Sequence, residues 1–149
     1  MRYEIGRVGR VIVARFDDGD EILGSLKELA IREEIKCAVF YLVGGLTGAR
    51  IVVGPREDVM PPVPVWKELT ESHEAMGVGT IFWGDGEPHI HFHGAYGKKE
   101  SVKSGCLRER AHAFIVMEAI VMEISGVEAV REVDPRSAMM LLKIEGNVL

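Results

Sequence analysis

The stretch from Gly79 to Gly97, "GTIFWGDGEPHIHFHGAYG", reads as two strands around a turn, and the rest of the chain is arranged around that reading. Met76 to Trp83 suits a pleated surface, "GDGEP" interrupts it, and a second extended run follows from His89 to Tyr96. Within that second run His89, His91 and His93 alternate with Ile90 and Phe92. Successive side chains on a strand point to opposite faces, so the three imidazoles share one face and Ile90 and Phe92 turn the other toward a core.

Outward from this hairpin the pattern is strand, helix, then a series of strands. Val11 to Phe16 is short, apolar and β-branched, as a strand is. "DDGDE" follows, with Asp18 and Glu21 spaced as a capping box. Ile22, Leu23, Leu26, Leu29 and Ala30 then form one apolar stripe, which predicts a helix of about four turns. Cys37 to Val43 is continuously apolar and predicts a buried strand ended by Gly44-Gly45, and Arg50 to Val53 predicts another, closed by Gly54-Pro55. Residues 54–64 hold four of the six prolines and read as a loop. Phe114 to Ile124 reads as a strand by its Ile, Val and Phe content, although Ala113, Met117, Glu118 and Met122 also suit a helix, and Met139 to Ile144 reads as a last strand. The expected class is α+β: a single compact domain over residues 1–149, with a mixed or antiparallel β-sheet packed against one main α-helix.

Composition narrows the functions. With 47% hydrophobic and 28% charged residues the chain is an ordinary globular one. It contains no apolar run long enough to span a membrane and its first residues do not form a secretory signal, so a cytoplasmic location is expected. Cys37 and Cys106 are far apart and form no CxxC pair, which predicts free thiols, or one thiol used as a ligand. A net charge of −5 argues against a global attraction to nucleic acid.

Side chains two apart on a strand stand roughly 7 Å apart at Cα, close enough for two imidazoles to reach one ion at about 2.0–2.1 Å. A third at the next alternate position reaches too far, so a His-x-His pair plus one ligand from elsewhere is expected. Cys106, His73, His112 and Glu118 are the candidates. Cys106 lies in "KSGCLRE", where Gly105 permits close backbone approach, and its thiolate would favour zinc. The competing reading places the histidines on a solvated face where they bind nothing, with Cys106 a small buried hydrophobe and Glu118 a paired structural acid. "LVGGLTG" matches neither a Walker loop nor a dinucleotide fingerprint, and no serine nucleophile motif is present. "RVGR" suits a strand edge better than a minor-groove hook. The sequence names no catalytic residue and no DNA-contacting residue.

With these pieces in order, the chain resembles the PPC domain family (plants and prokaryotes conserved). "ARFDDGDEI", "YLVGGLTGARI", "GTIFWGDGEPHIHFHGAYG", "VKSGCL" and "VREVDPRSAMMLLKI" carry the resemblance across nearly its whole length. Aligning Pro88 and Gly97 with the family pattern assigns its His-x-His to His91 and His93 and leaves His89 outside. Cys106 stands where the family often has a histidine after Gly-Gly, in what the resemblance makes a turn. The resemblance implies a homotrimer with a metal site near subunit contacts, and a DNA-associated or regulatory role, although the AT hook that accompanies the domain in plants is absent. Three functions are therefore open: a trimeric domain fixed by zinc with a regulatory or DNA-associated role, an enzyme with a metal-bound water and Glu118 or His73 as base, or a small-molecule sensor.

Overall fold

The computed structural model describes all residues, Met1–Leu149. In chain order its elements are β1 (Arg2–Tyr3), β2 (Arg7–Asp17), α1 (Ile22–Arg32), β3 (Cys37–Thr47), β4 (Ala49–Pro55), β5 (Pro64–Leu69), β6 (His73–Gly84), β7 (Glu87–Lys98), β8 (Ser101–Glu109), β9 (His112–Ser125), β10 (Ala129–Asp134), β11 (Met139–Ile144) and β12 (Asn147–Val148). Eight strands form one antiparallel sheet in the order β2-β9-β3-β6-β7-β8-β4-β5. A β10–β11 hairpin and a short β1–β12 pair complete the fold.

The α+β expectation is corrected by this architecture: 66% of the chain is strand and 7% is helix, and the sheet contains no parallel pair. The apolar stripe on α1 is real but spans only 11 residues and buries Ile22, Leu26 and Ala30. Most of the core comes from one face of the sheet, where Phe40, Leu42, Ile81, Phe92, Tyr96 and Met117 pack beneath α1. The strands that sequence patterning missed are those without an apolar run. β8 is "SVKSGCLRE", β10 is "AVREVD", and β5 begins at Pro64, which an edge strand tolerates because its N–H side needs no partner.

Local corrections have equally plain causes. The N-cap of α1 is Glu21, whose carboxylate accepts from the Gly24 N–H. Asp18 is no cap, because Gly19 and Asp20 still exchange backbone hydrogen bonds with Ala113. Its Oδ1 accepts instead from the Ile115 N–H at 2.7 Å, holding Ile115 at φ 65°, a region that β-branched residues rarely enter. β3 does not end at Gly44-Gly45 but shifts register there against β9, where a Cβ on Gly44 would lie 2.4 Å from the Val116 carbonyl oxygen. "RVGR" does begin an edge strand, β2.

Candidate metal centre

Two tight turns set the site. Gly84 pairs with Glu87 across Asp85 and Gly86, whose φ values of 51° and 83° suit the type I′ turn that Asp-Gly favours. This register puts His91 opposite Thr80 and His93 opposite Val78. The β7–β8 turn pairs Lys98 with Ser101 and puts Cys106 opposite His93. A slip of one residue in either hairpin would send these side chains to the other face.

The result is a cluster in which one donor atom each from His91, His93 and Cys106 lies within 4.8 Å of the others. The two Nε2 atoms are 3.1 Å apart, with the rings edge to face. Donors bound tetrahedrally to zinc at about 2.0–2.3 Å stand on the order of 3.3–3.6 Å from one another, so small side-chain rotations bring this set into range. Gly105 serves as expected: a Cβ there would lie 2.6 Å from the Val52 carbonyl oxygen of β4. That close approach lets β4 and β5 wall one side of a cleft of about 540 Å³ that the three donors face.

The electrostatics favour neutral nitrogen donors. Burial, then the charges of Arg131, His93 and Arg108, hold His91 down to about 4, so its imidazole is unprotonated near neutrality. Burial raises the Cys106 thiol, while Arg108, the Phe92 backbone and Arg131 pull it back down. A metal binding here displaces the thiol proton. The His91 shift has a signed consequence for metal-free protein. Between its ordinary value of 6.5 and about 4 the unfolded chain takes up a proton that the folded chain does not, so stability falls as pH drops through that window. Urea unfolding at pH 7, 5.5 and 4.5 is expected to show the fall, with a shallower one in His91→Gln; equal slopes would refute the assignment.

The other sequence candidates lie elsewhere. His89 shares the face, but its Nε2 sits 3.0 Å from the Gly84 carbonyl oxygen. His73 is buried with Nδ1 2.7 Å from the Glu71 oxygen, five positions along β6 from Val78 and so roughly 16 Å away. His112 pairs with Thr47 and bridges to Glu21. Glu118 is exposed on β9 opposite Arg15, three strands from β7 and roughly 14 Å distant. The "turn" around Cys106 is instead strand β8.

Sequence reading also missed Arg108, Trp66 and Met139, which line the cleft, and Arg131, whose Nη2 donates to Thr80 Oγ1 at 3.1 Å. Arg131 is 7% exposed, whereas Val130 and Val133 on the same strand are 41% and 60% exposed. By alternation Arg131 and Val133 share one face of β10 and Val130 has the other, so the arginine is hidden because patterning would bury Val133 before it.

The profile of the Plants and Prokaryotes Conserved (PCC) domain matches residues 3–125. A metal-containing protein from Archaeoglobus fulgidus is similar at 25% identity and TM-score 0.82, over 95% of this chain and 98% of that one. A plant- and prokaryote-conserved protein from Pyrococcus horikoshii is similar at 25% identity and TM-score 0.83, over 99% and 100%. The fold is also shared by a Ralstonia eutropha JMP134 protein whose name conjectures DNA binding, at 23% identity and TM-score 0.75, over 89% and 90%. No match was found among curated proteins.

Proposed function

Because the chain belongs to the plants and prokaryotes conserved domain family, we propose that it is a zinc-binding, self-associating regulatory domain whose 149 residues fold as one unit. His91, His93 and Cys106 hold the ion. The convergence of these three donors carries the reading: two imidazoles and a thiolate are a donor set that suits zinc, and the Archaeoglobus fulgidus relative is named as metal-containing. All three donors belong to one chain, so the ion does not need a second subunit to be held.

Self-association is supported by the sheet face away from α1. Val13, Ile120, Tyr41 and Val78 lie in register across β2, β9, β3 and β6, all of them exposed, and the same cross-strand row continues into His93 and Cys106. Continuous apolarity in a strand signals burial on both faces, and this chain alone buries one. A homotrimer follows from the family resemblance. A cytoplasmic location fits the free, unpaired Cys37 and Cys106, and no helix is long and apolar enough to cross a membrane. A DNA-associated role reaches this chain only through relatives' names, and its net charge of −5 favours regulation through a smaller ligand.

A second reading has an observation of its own: three protein donors facing a cleft leave a fourth position open. Bound there, zinc would acidify a water or accept a ligand atom. Glu118 and His73 lie too far away to serve as its base, so ligand sensing fits this geometry better than catalysis.

Elemental analysis of untagged protein tests the proposal. Wild type is expected to carry about one zinc per chain. His93→Ala and Cys106→Ala should each weaken zinc at least about a hundredfold, more than the loss of a supporting hydrogen bond around such sites does. A metal-free wild type that takes up no added zinc would refute it.

A further inference from the structure

We propose that the cleft beside the three donors is a receptor for a small organic anion, a carboxylate or phosphate carried on an apolar body. Its anionic head meets Arg131 and Arg108 as well as the fourth position of the ion. For that last contact alone the inference rests on the zinc reading.

Arg131 carries an uncompensated charge. Arg131 is a buried residue of the β10–β11 hairpin, all of which lies beyond the part of the chain that matches the family profile. Its guanidinium donates one hydrogen bond, to Thr80 Oγ1, and its Nε is buried with no acceptor. Thr80 is the cross-strand partner of His91, so the guanidinium sits at the donor cluster. Arg108 follows Cys106 by two residues on β8 and lines the cleft. Neither Arg131 nor Arg108 has a carboxylate partner, and Arg131 is the only arginine of the chain that is buried. A buried cation without a counter-ion is costly. The Phe82 ring, 5.9 Å from the Arg131 guanidinium carbon, is at the outer limit of a cation–π contact and offsets little of that cost.

No carboxylate belongs to the donor cluster or lines the cleft, so no acidic side chain there supplies the missing charge, and an oxyanion answers both arginines and the ion at once.

Pro55, Pro62, Pro64, Trp66, Val52 and Met139 line the cleft together with Arg108 and the three donors. Proline-fixed backbone gives a preformed apolar surface, and the volume of about 540 Å³ suits a ligand larger than an inorganic ion. Apolar side chains and Arg108 lining the cleft, with Arg131 held beside the donors, select an anion with an apolar body.

The test uses benzoate, phenyl phosphate and benzyl alcohol as probes, titrated by calorimetry or ligand-observed NMR into the full chain, with and without zinc, and with zinc content measured in the same samples. Wild type is expected to bind one or both anions at least tenfold more tightly than benzyl alcohol, and the stronger of the two identifies the head group. Arg131→Met keeps the buried volume and is expected to weaken anion binding at least tenfold, with zinc content unchanged and benzyl alcohol binding unmoved. Arg108→Met sits at the exposed rim, tests the same point without touching the core, and should weaken the anions severalfold. Anion binding without zinc uptake would sustain this inference while the zinc reading fell. Zinc uptake with no anion preference over benzyl alcohol, or with affinities unmoved in both arginine variants, would overturn it.

Discussion

Phe40→Ala is expected to lower the free energy of unfolding by about 3–5 kcal/mol, and the melting temperature by on the order of 10 °C. Phe40 is fully buried and stacks on Phe92, with ring centroids 5.8 Å apart and planes 13° from parallel. Between them in the sheet lies Gly79, the cross-strand partner of both. A Cβ on Gly79 would fall 2.2 Å from Phe40 Cζ, so the glycine is the space into which the ring folds. Gly79→Ala is therefore expected to cost about 1–3 kcal/mol by overpacking, and distinctly less when Phe40 is already alanine. A urea double-mutant cycle reads the coupling directly. Additive penalties would show that ring and glycine do not share one space. The pair matters to the site because Phe92 stands between His91 and His93 and anchors the opposite face of the same strand.

How much of this was legible can be argued from individual residues. The Asp85-Gly86 turn and the alternation through His93 predicted both hairpin strands and the shared histidine face, and the family resemblance selected His91 and His93 over His89. Cys106 was found as a candidate from the Gly105 beside it and from the affinity of a thiolate for zinc. The strand that carries it was not, since "SVKSGCLRE" has no apolar run and owes its place to backbone pairing with β7 and β4. The helix was overweighted for the converse reason: its stripe is strongly periodic, but it covers only part of a core built mostly by strands. Gly77 and Gly79 carried no reading of their own in the sequence, and only tertiary contact shows that the rings of Phe92 and Phe40 fill the space they leave. Arg131 was invisible because nothing in "AVREVD" marks an arginine for burial ahead of the valines beside it.

Association is expected to break before folding does. In a Tyr41→Glu/Ile120→Glu variant the sedimentation mass should fall from three times 16.5 kDa to the monomer value, with the far-ultraviolet circular dichroism unchanged. Both positions are half-exposed in the isolated chain, Tyr41 at 48% and Ile120 at 46%, so neither change touches the α1-covered core, and such surface changes usually shift stability within about 0.5 kcal/mol. In an assembly that covers this face, each buried apolar side chain contributes about 1.5–3 kcal/mol, and a carboxylate put in its place must be dehydrated without a partner. Ile120 also lies three strands from His93, so the charge it would carry is remote from the donors. Zinc content should therefore persist in the monomer, because every donor comes from one chain. Wild-type protein that sediments as a monomer would sink the assembly reading, and a trimer that survives both glutamates would move the interface to another face. Zinc lost together with the trimer would mean that the row from Val13 through Tyr41 to His93 and Cys106 works as one unit, with packing between chains holding the imidazoles and the thiol in place.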